Sequence, residues 1–148
     1  MPNEPTVLVV DDNEDLLETF SLILKKHGFR VITAGDGLAA IDLYQRYNFD
    51  IILMDIVMPE MDGIEAFRKI REMDPEAVII LMTAYSEDES IQIVKSEGVH
   101  RVIRKPIKIE QLIDMIKEAT EEGSILIMEK RGKELNGQSQ ETRVITRI

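Results

Sequence analysis

The chain has 148 residues, 44% of them hydrophobic, and this length fits one domain built around a single core. Its formal net charge of −10 should repel nucleic-acid phosphates, and the lack of cysteine excludes disulfides, thiol chemistry and cysteine-bound metals. Since no apolar run approaches the roughly 20 residues that span a bilayer and the first residues do not resemble a signal peptide, we expect a cytoplasmic protein without membrane contact.

Five short runs rich in β-branched residues alternate with longer segments of helical period. In chain order the runs are TVLVV (6–10), RVITA (30–34), DIILM (50–54), VIILM (78–82) and RVIR (101–104). This alternation is typical of a parallel sheet covered by helices on both faces. The sequence therefore predicts an α/β fold over residues 1–122, a flavodoxin-like (βα)5 doubly wound sheet of five parallel strands. A short C-terminal extension, residues 123–148, follows it.

The residues that begin and end helices agree with this division. Gly28 and Gly98 stand where helices would end, and Asp36 and Asp62 stand where helices would begin. Aspartate accepts a hydrogen bond from the first turn of a helix, and glycine adopts the left-handed conformation that often follows the last turn. We therefore expect the segments between the runs to be helices, the last of them near residues 109–121.

Polar residues stand where four of the predicted strands end. Asp11 and Asp12 follow the first strand, Asp55 the third, Thr83 the fourth and Lys105 the fifth. A single aspartate at a strand end is usually only a cap for the next turn. Ligands of such sheets, however, bind outside the carboxyl ends of the strands, where all five side chains should converge. The spacing of the five groups therefore favours a functional site.

The chemistry of these groups indicates phosphoryl transfer. Three crowded carboxylates repel one another unless a cation lies between them. Mg²⁺ takes a few carboxylate oxygens, keeps waters and shares its shell with phosphate oxygens, so it is the expected cofactor. A carboxylate can be the nucleophile and form an acyl phosphate. The Lys105 ammonium and the Thr83 hydroxyl would then stabilise charge on the transferred phosphoryl oxygens.

Four motifs together resemble the receiver domains of response regulators in two-component signalling, with a chemotaxis-regulator-like fold. They are VLVVDDN, IILMDIVMPEMDG, LMTAY and RKPI, and the resemblance covers residues 6 to about 121. It implies that Asp55 accepts the phosphoryl group. It also implies that Asp11, Asp12 and Asp55 hold Mg²⁺ together with the main-chain carbonyl of Val57.

The same resemblance implies roles for the ends of the fourth and fifth strands. Thr83 and Lys105 would bind the phosphoryl oxygens and trigger the switch, and the Lys105–Pro106 bond would be cis. A sensor histidine kinase or a phosphotransfer protein would be the donor, and an unidentified protein would be the downstream target. Receiver domains commonly carry Tyr or Phe three residues before the lysine, whereas this chain has Val102. A small β-branched side chain cannot report a movement of Thr83 by the rotation that the aromatic ring makes.

Two classes of function remain open from the sequence. The first is a response-regulator switch that is not an enzyme beyond slow loss of its own phosphoryl group. Within it, MTAY and the non-aromatic residue before Lys-Pro also resemble phosphorelay intermediates of sporulation, which pass the phosphoryl group onward. The rival is a flavodoxin-like enzyme, either a flavin carrier or a phosphatase. The acidic DDNEDL would repel a flavin phosphate, and Val57 stands where a phosphatase needs a second aspartate.

The last 25 residues differ in charge from the rest of the chain. Residues 124–148 hold 5 Lys/Arg against 3 Asp/Glu, whereas residues 1–123 hold 13 against 25. The pair Asn136-Gly137 favours a type I′ turn between β-rich stretches. Because an isolated hairpin is marginal in water, this segment is expected either to dock on a second copy and give a homodimer or to be a frayed linker.

Overall fold

The computed structural model describes residues 4–84 and 89–120. Within them, strands and helices alternate as β1 (Thr6–Val10), α1 (Glu14–Lys26), β2 (Arg30–Ala34), α2 (Gly37–Arg46), β3 (Ile51–Asp55), α3 (Gly63–Met73), β4 (Ile79–Thr83), α4 (Glu89–Ser96), β5 (Arg101–Arg104) and α5 (109–120). The strands form one parallel sheet in the order β2-β1-β3-β4-β5. The predicted flavodoxin-like (βα)5 fold is confirmed.

Alternate side chains of each strand supply two hydrophobic clusters, one on each face of the sheet. The cluster under α2, α3 and α4 includes Phe67 and Ile70. The cluster under α1 and α5 includes Phe20 and Ile116. The central strands β3 and β4 are buried along their whole length, whereas the outer strands β2 and β5 are partly exposed. The covered centre of the sheet explains why the third and fourth runs are continuously apolar.

The two central strands begin and end one residue later than predicted: β3 is Ile51–Asp55 and β4 is Ile79–Thr83. The ladder continues through Asp55, which pairs in register with Met82, because the next N–H, that of Ile56, still donates to the Met82 carbonyl at 2.9 Å. Asp55 is therefore the last residue of a strand rather than the first residue of a loop. Its backbone is fixed by the sheet.

Three helices begin with a side-chain cap. The capping oxygens and the N–H groups that donate to them belong to Asn13 with Leu16, Asp36 with Ala39, and Asp62 with Glu65. The prediction of Asp36 and Asp62 as caps is confirmed, and Asn13 is a cap that the sequence reasoning missed. Gly28 and Gly98 have φ angles of 88° and 91°, the left-handed conformation expected after a helix.

The predicted C-terminal extension, residues 123–148, lies outside the described residues, and so do its hairpin and its role as a dimer arm. Those points stay predictions. None of the helices that the structure does describe is long and apolar enough to cross a membrane.

Candidate functional site

Three carboxylates meet at the carboxyl edge of the sheet. Asp11 and Asp12 follow β1, Asp55 ends β3, and these two strands are neighbours. One carboxylate oxygen from each residue lies within 4.8 Å of the other two. Asp11 is 1% exposed and Asp55 is 7% exposed, whereas Asp12 is open to solvent. The structure thus brings together the three acidic residues expected to converge, two of them buried.

Lys105 reaches this acidic cluster from the end of β5. Its Nζ donates to Asp11 Oδ2 at 3.0 Å and lies 3.4 Å from Asp55 Oδ2. Its backbone N–H donates to the carbonyl of Thr83 at 2.7 Å, which joins the ends of β4 and β5. The Lys105–Pro106 bond is cis, as the resemblance implied. Lys105 is therefore in direct contact with both buried carboxylates.

Thr83 and Val57 flank the cluster, and Val102 lies apart from it. Thr83 is the last residue of β4, the strand next to Asp55, and it is 4% exposed. Val57 follows Asp55 by two residues, is 51% exposed, and its backbone N–H lies close enough to the Asp55 carboxylate to lower the pKa of that group. Val102, half-buried in β5, packs against the cluster of α2, α3 and α4. The position that is aromatic in many receiver domains is thus occupied by a packing residue.

The cluster contains more negative charge than positive charge. Burial raises the pKa of Asp55, the charge of Asp11 raises it further, and Lys105 and the Val57 N–H act in the opposite direction. Burial lowers the pKa of Lys105, but its hydrogen bond to Asp11 and the charges of Asp55 and Asp11 outweigh burial, so that the pKa is raised overall. The ammonium group therefore stays charged, yet it faces three carboxylates. A divalent cation would neutralise the remaining negative charge.

The donor atoms fit Mg²⁺. Carboxylate oxygens are hard ligands of the kind that this ion prefers, and it commonly takes only a few of them while keeping waters. Asp11 is held by two contacts, since Oδ1 accepts from the Asn13 N–H at 2.9 Å and Oδ2 accepts from Lys105. Asp12 presents its carboxylate to solvent. The cluster therefore combines an oriented acidic residue with one that an entering hydrated ion can reach.

A groove opens beside the cluster, between the first half of α1 and the segment that follows β5. Its volume is about 650 Å³, and Lys105 forms part of its wall. The apolar part of the lining comes from Leu16, Phe20, Pro106, Ile107 and Ile109. The sequence reasoning missed this groove because apolar residues at helical spacing on α1 predict core contacts equally well. The groove matters because it shares a lysine with the acidic cluster.

Comparisons with known proteins agree with this geometry. Residues 7–117 match the family described as the response regulator receiver domain. The sporulation initiation phosphotransferase F of Bacillus subtilis is 33% identical over 117 residues, which are 79% of this chain and 94% of that protein. A CheY-like response regulator receiver domain protein from Methanospirillum hungatei has a solved structure with a TM-score of 0.78 and 28% identity, over 81% of this chain and 96% of that one.

Another solved structure shows a relative with ligands. It is the response regulator TrrA of Thermotoga maritima in complex with Mg²⁺ and BeF, with a TM-score of 0.70 and 30% identity over 78% of this chain and 98% of that one. Other relatives are much longer than the matched region. The chain spans 45% of a response regulator receiver protein of Anaeromyxobacter and 28% of a cyclic di-GMP phosphodiesterase of Thermotoga maritima.

Proposed function

The chain belongs to the response regulator receiver domain family of two-component systems, and from this premise we propose that Asp55 accepts a phosphoryl group from a phosphohistidine and that the modified protein changes its affinity for a partner. The observation that carries the proposal is the contact of Lys105 Nζ with Asp55 Oδ2 at 3.4 Å, inside a cluster that also contains Asp11 and Asp12. A lysine at this distance can stabilise the negative charge on the oxygens of a phosphoryl group that is bonded to Asp55.

The arrangement favours Asp55 as the acceptor over its two acidic neighbours. Both oxygens of Asp11 already accept hydrogen bonds, and Asp12 is exposed. Asp55 ends the strand between β1 and β4, so it lies between the acidic pair on one side and Thr83 on the other. A phosphoryl group bonded there would be within reach of Lys105 and of the Thr83 hydroxyl.

In the proposed step, an Asp55 oxygen attacks the phosphorus of the phosphohistidine, a P–O bond forms and the P–N bond breaks. The leaving imidazole keeps the electron pair of that bond and takes up a proton from solvent. The Lys105 ammonium and the Thr83 hydroxyl stabilise the phosphoryl oxygens. Mg²⁺, when bound by Asp11, Asp12, Asp55 and the Val57 carbonyl, would supply further positive charge to the same oxygens. The complex of TrrA with Mg²⁺ and BeF supports the proposal that this chain binds the ion.

The groove beside Lys105 is the proposed docking surface for the phosphodonor, a sensor histidine kinase or a phosphotransfer protein. The donor must bring its phosphorus to bonding distance of Asp55, so its contact surface has to lie next to the cluster. Leu16 and Phe20 of α1 and Ile107 beyond β5 offer apolar surface at that place. An apolar face of a helix carrying the phosphohistidine fits such a groove.

A second role, onward transfer of the phosphoryl group, is favoured by one comparison. The relative that this chain matches over 94% of its length is named a phosphotransferase of sporulation initiation. In that role the acyl phosphate of Asp55 would be passed to a histidine of a second protein. Mixing purified phosphorylated protein with a panel of phosphotransfer domains would reveal it as loss of the phosphoryl group from Asp55 and its appearance on a histidine. Loss only to water at the unassisted rate would contradict it.

The proposed function is tested by incubating the protein with acetyl phosphate and Mg²⁺ and measuring its intact mass. We expect a single phosphoryl adduct in the wild type, none after chelation of the metal and none in Asp55→Asn. Asp50→Asn is the matched control, since this exposed aspartate precedes the same strand, and it should be phosphorylated normally. An adduct that persists in Asp55→Asn would assign the acceptor to another residue.

A further inference from the structure

The peptide bond that follows Asp55 is held from two sides. The N–H of Ile56 donates to the Met82 carbonyl of β4 at 2.9 Å, and the Ile56 carbonyl accepts from the N–H of Gly63 at 2.7 Å. Gly63 is the first residue of α3, so the loop 56–62 leaves the sheet and returns to its own starting point. The position of the Asp55 backbone therefore depends on how closely α3 can approach it.

Gly63 makes that approach possible because it has no side chain. A Cβ at this position would lie 2.2 Å from the Asp55 carbonyl oxygen, 2.9 Å from the Ile56 Cα and 3.0 Å from the Asp55 carbonyl carbon. Distances below 3.0 Å are ones that real Cβ atoms essentially never show. All three contacts are with main-chain atoms, which cannot rotate away as a flexible side chain can. Any residue larger than glycine would push α3 and the end of β3 apart.

The loop and the helix are both anchored, so they cannot easily absorb this displacement. Met58 and Met61 are buried in the cluster of α2, α3 and α4, and Glu60 between them has a φ of 66°, a left-handed conformation that is uncommon outside glycine. Further along α3, Phe67 and Ile70 are fully buried. Asp55 is at the end of its strand, and a push from position 63 would therefore move the Asp55 peptide.

We propose that Gly63 is a positioning residue that sets the Asp55 carboxylate and the Val57 main chain in their places relative to Asp11 and Asp12. The inference rests on the proposed function, in which these groups hold Mg²⁺ and Asp55 accepts the phosphoryl group. A shift of the Asp55 peptide moves the acceptor and one end of the metal site together. Errors of about 1 Å in such sites can cost on the order of 100-fold in rate.

The test compares glycine-to-alanine variants at three positions of the same edge. Gly63→Ala is the main variant. Gly35→Ala is the matched control, because a Cβ at Gly35 would meet nothing within 4 Å. Gly37→Ala is the milder version, because its Cβ would lie 3.1 Å from Met61 Cγ and 3.2 Å from the Met61 carbonyl oxygen, in the loop that leads to Gly63. Ile70→Val removes one methyl group from the α3 core and controls for lost stability alone.

Three measurements are made on each full-length variant. They are the Kd for MgCl₂ by calorimetry, the rate of phosphorylation by acetyl phosphate at saturating Mg²⁺, and the amide chemical shift of Val57 in metal-free protein. Since the Val57 N–H lies beside the Asp55 carboxylate and lowers the pKa of that group, its chemical shift reports the acceptor's position without any metal. Gly63→Ala should raise the Kd and slow phosphorylation by about tenfold or more each and displace the Val57 resonance. Gly35→Ala and Ile70→Val should match the wild type in all three measurements, although Ile70→Val should melt at a lower temperature.

Unchanged Mg²⁺ affinity and an unchanged Val57 shift in Gly63→Ala would overturn the proposal. If Gly63→Ala does not fold, Gly37→Ala is measured in its place. The proposal is also overturned if Gly37→Ala has the same Mg²⁺ affinity and the same Val57 amide shift as Gly35→Ala. If the wild type binds Mg²⁺ but takes no phosphoryl group, the proposed function is wrong. The role of Gly63 is still tested in that case, by comparing the Mg²⁺ affinity of Gly63→Ala with that of the wild type. If the wild type does not bind Mg²⁺, the amide chemical shift of Val57 tests the role of Gly63.

Discussion

At the amino end of the parallel sheet the side chains of Asp50, Tyr44 and Arg71 each have a hydrogen-bond partner, whereas at the carboxyl end the described carboxylates outnumber the positive charges that face them. The Asp50 carboxylate accepts from the N–H of Thr6 at 2.7 Å, and the Tyr44 hydroxyl donates to Asp74 at 2.5 Å. Arg71 donates to the main-chain carbonyls that precede β4 and β5. At the carboxyl end, by contrast, three carboxylates face one ammonium group, as far as the described residues extend.

The difference separates the groups that hold the fold from the groups that perform chemistry. A hydrogen bond from arginine to an otherwise unpaired carbonyl lowers the free energy of the folded state. A buried carboxylate beside another carboxylate raises it, and such an arrangement is typical of a site that binds a cation or a reacting group. Substitutions at the two ends are therefore expected to have opposite profiles, with stability lost at the amino end and ligand binding lost at the carboxyl end.

The largest expected effect is at the carboxyl end, in the double variant Asp11→Asn with Asp12→Asn. The wild type should be stabilised by Mg²⁺, by about 2.7 kcal/mol at a concentration 100 times the Kd, because the ion binds the folded state. The double variant should lose this response and the ability to take a phosphoryl group. Without metal it should be at least as stable as the wild type, since carboxylate repulsion has been removed. Thermal unfolding with Mg²⁺ and with EDTA measures both quantities.

Asp50→Asn provides the control from the amino end and should keep the whole Mg²⁺ response. A double variant that is stabilised by Mg²⁺ as much as the wild type would place the metal elsewhere. A double variant that unfolds readily in EDTA would mean that Asp11 and Asp12 hold the fold, and the contrast between the two ends would be wrong.

The second-largest expected effect is at the amino end of the sheet, in the variant Arg71→Met. The guanidinium lies 5.4 Å from the centre of the Phe67 ring and donates to the carbonyls of Ala77 and Gly98. Methionine keeps the apolar contact but leaves both carbonyls without this donor, so we expect a loss of about 2 kcal/mol in the free energy of unfolding. Urea unfolding measures it. Mg²⁺ affinity and phosphorylation should be unchanged in the folded variant.

Arg68→Gln is the matched control for Arg71, three residues earlier on the same helix. Arg68 makes two hydrogen bonds to the Glu97 carboxylate, at 2.9 and 3.1 Å, but half of its side chain is exposed. Exposed ion pairs add little to stability because water and salt screen them. Its loss should be clearly smaller than that of Arg71→Met and should shrink further at high salt. Equal losses in the two variants would show that the carbonyl contacts of Arg71 contribute nothing beyond surface charge.

The contrast between the ends also explains what the sequence could predict. Strand ends in a parallel sheet are set by local periodicity, so the convergence of Asp11, Asp55 and Lys105 followed from their positions alone. The contacts at the amino end depend instead on how helices pack against one another. Arg71 and Gly98 are 27 residues apart, and nothing in their local sequence marks them as partners.

Gly63 shows a second limit of prediction. A glycine at the start of a helix is explained equally well by a turn, by a cap or by close packing, so the sequence alone does not single out this position. Only the three-dimensional distance to the Asp55 carbonyl reveals which reason applies. The one-residue error at β3 has a related cause, because an apolar pattern cannot show that the ladder continues through a carboxylate.

The smallest expected effect is a pH dependence that originates at Asp55. Burial and the charge of Asp11 hold the pKa of Asp55 above its value of about 3.9 in an unfolded chain. The stability that comes from protonated Asp55 is therefore fully present below about pH 4 and is lost as the pH rises through the folded pKa. In EDTA at pH 7, Asp55→Asn should accordingly melt at a higher temperature than the wild type. The advantage should shrink as the pH approaches 4.

Magnesium should reverse the order, because only the wild type keeps all three carboxylates for the ion. The neutral amide also takes one partner away from Lys105, but Asp11 remains at 3.0 Å, so the lysine keeps its stronger contact. Melting curves between pH 4 and pH 8, with EDTA and with Mg²⁺, separate these contributions. If Asp55→Asn is less stable than the wild type at every pH in EDTA, the attraction between Lys105 and Asp55 outweighs burial and repulsion. The charged groups at the carboxyl end would then stabilise the fold in the same way as those at the amino end.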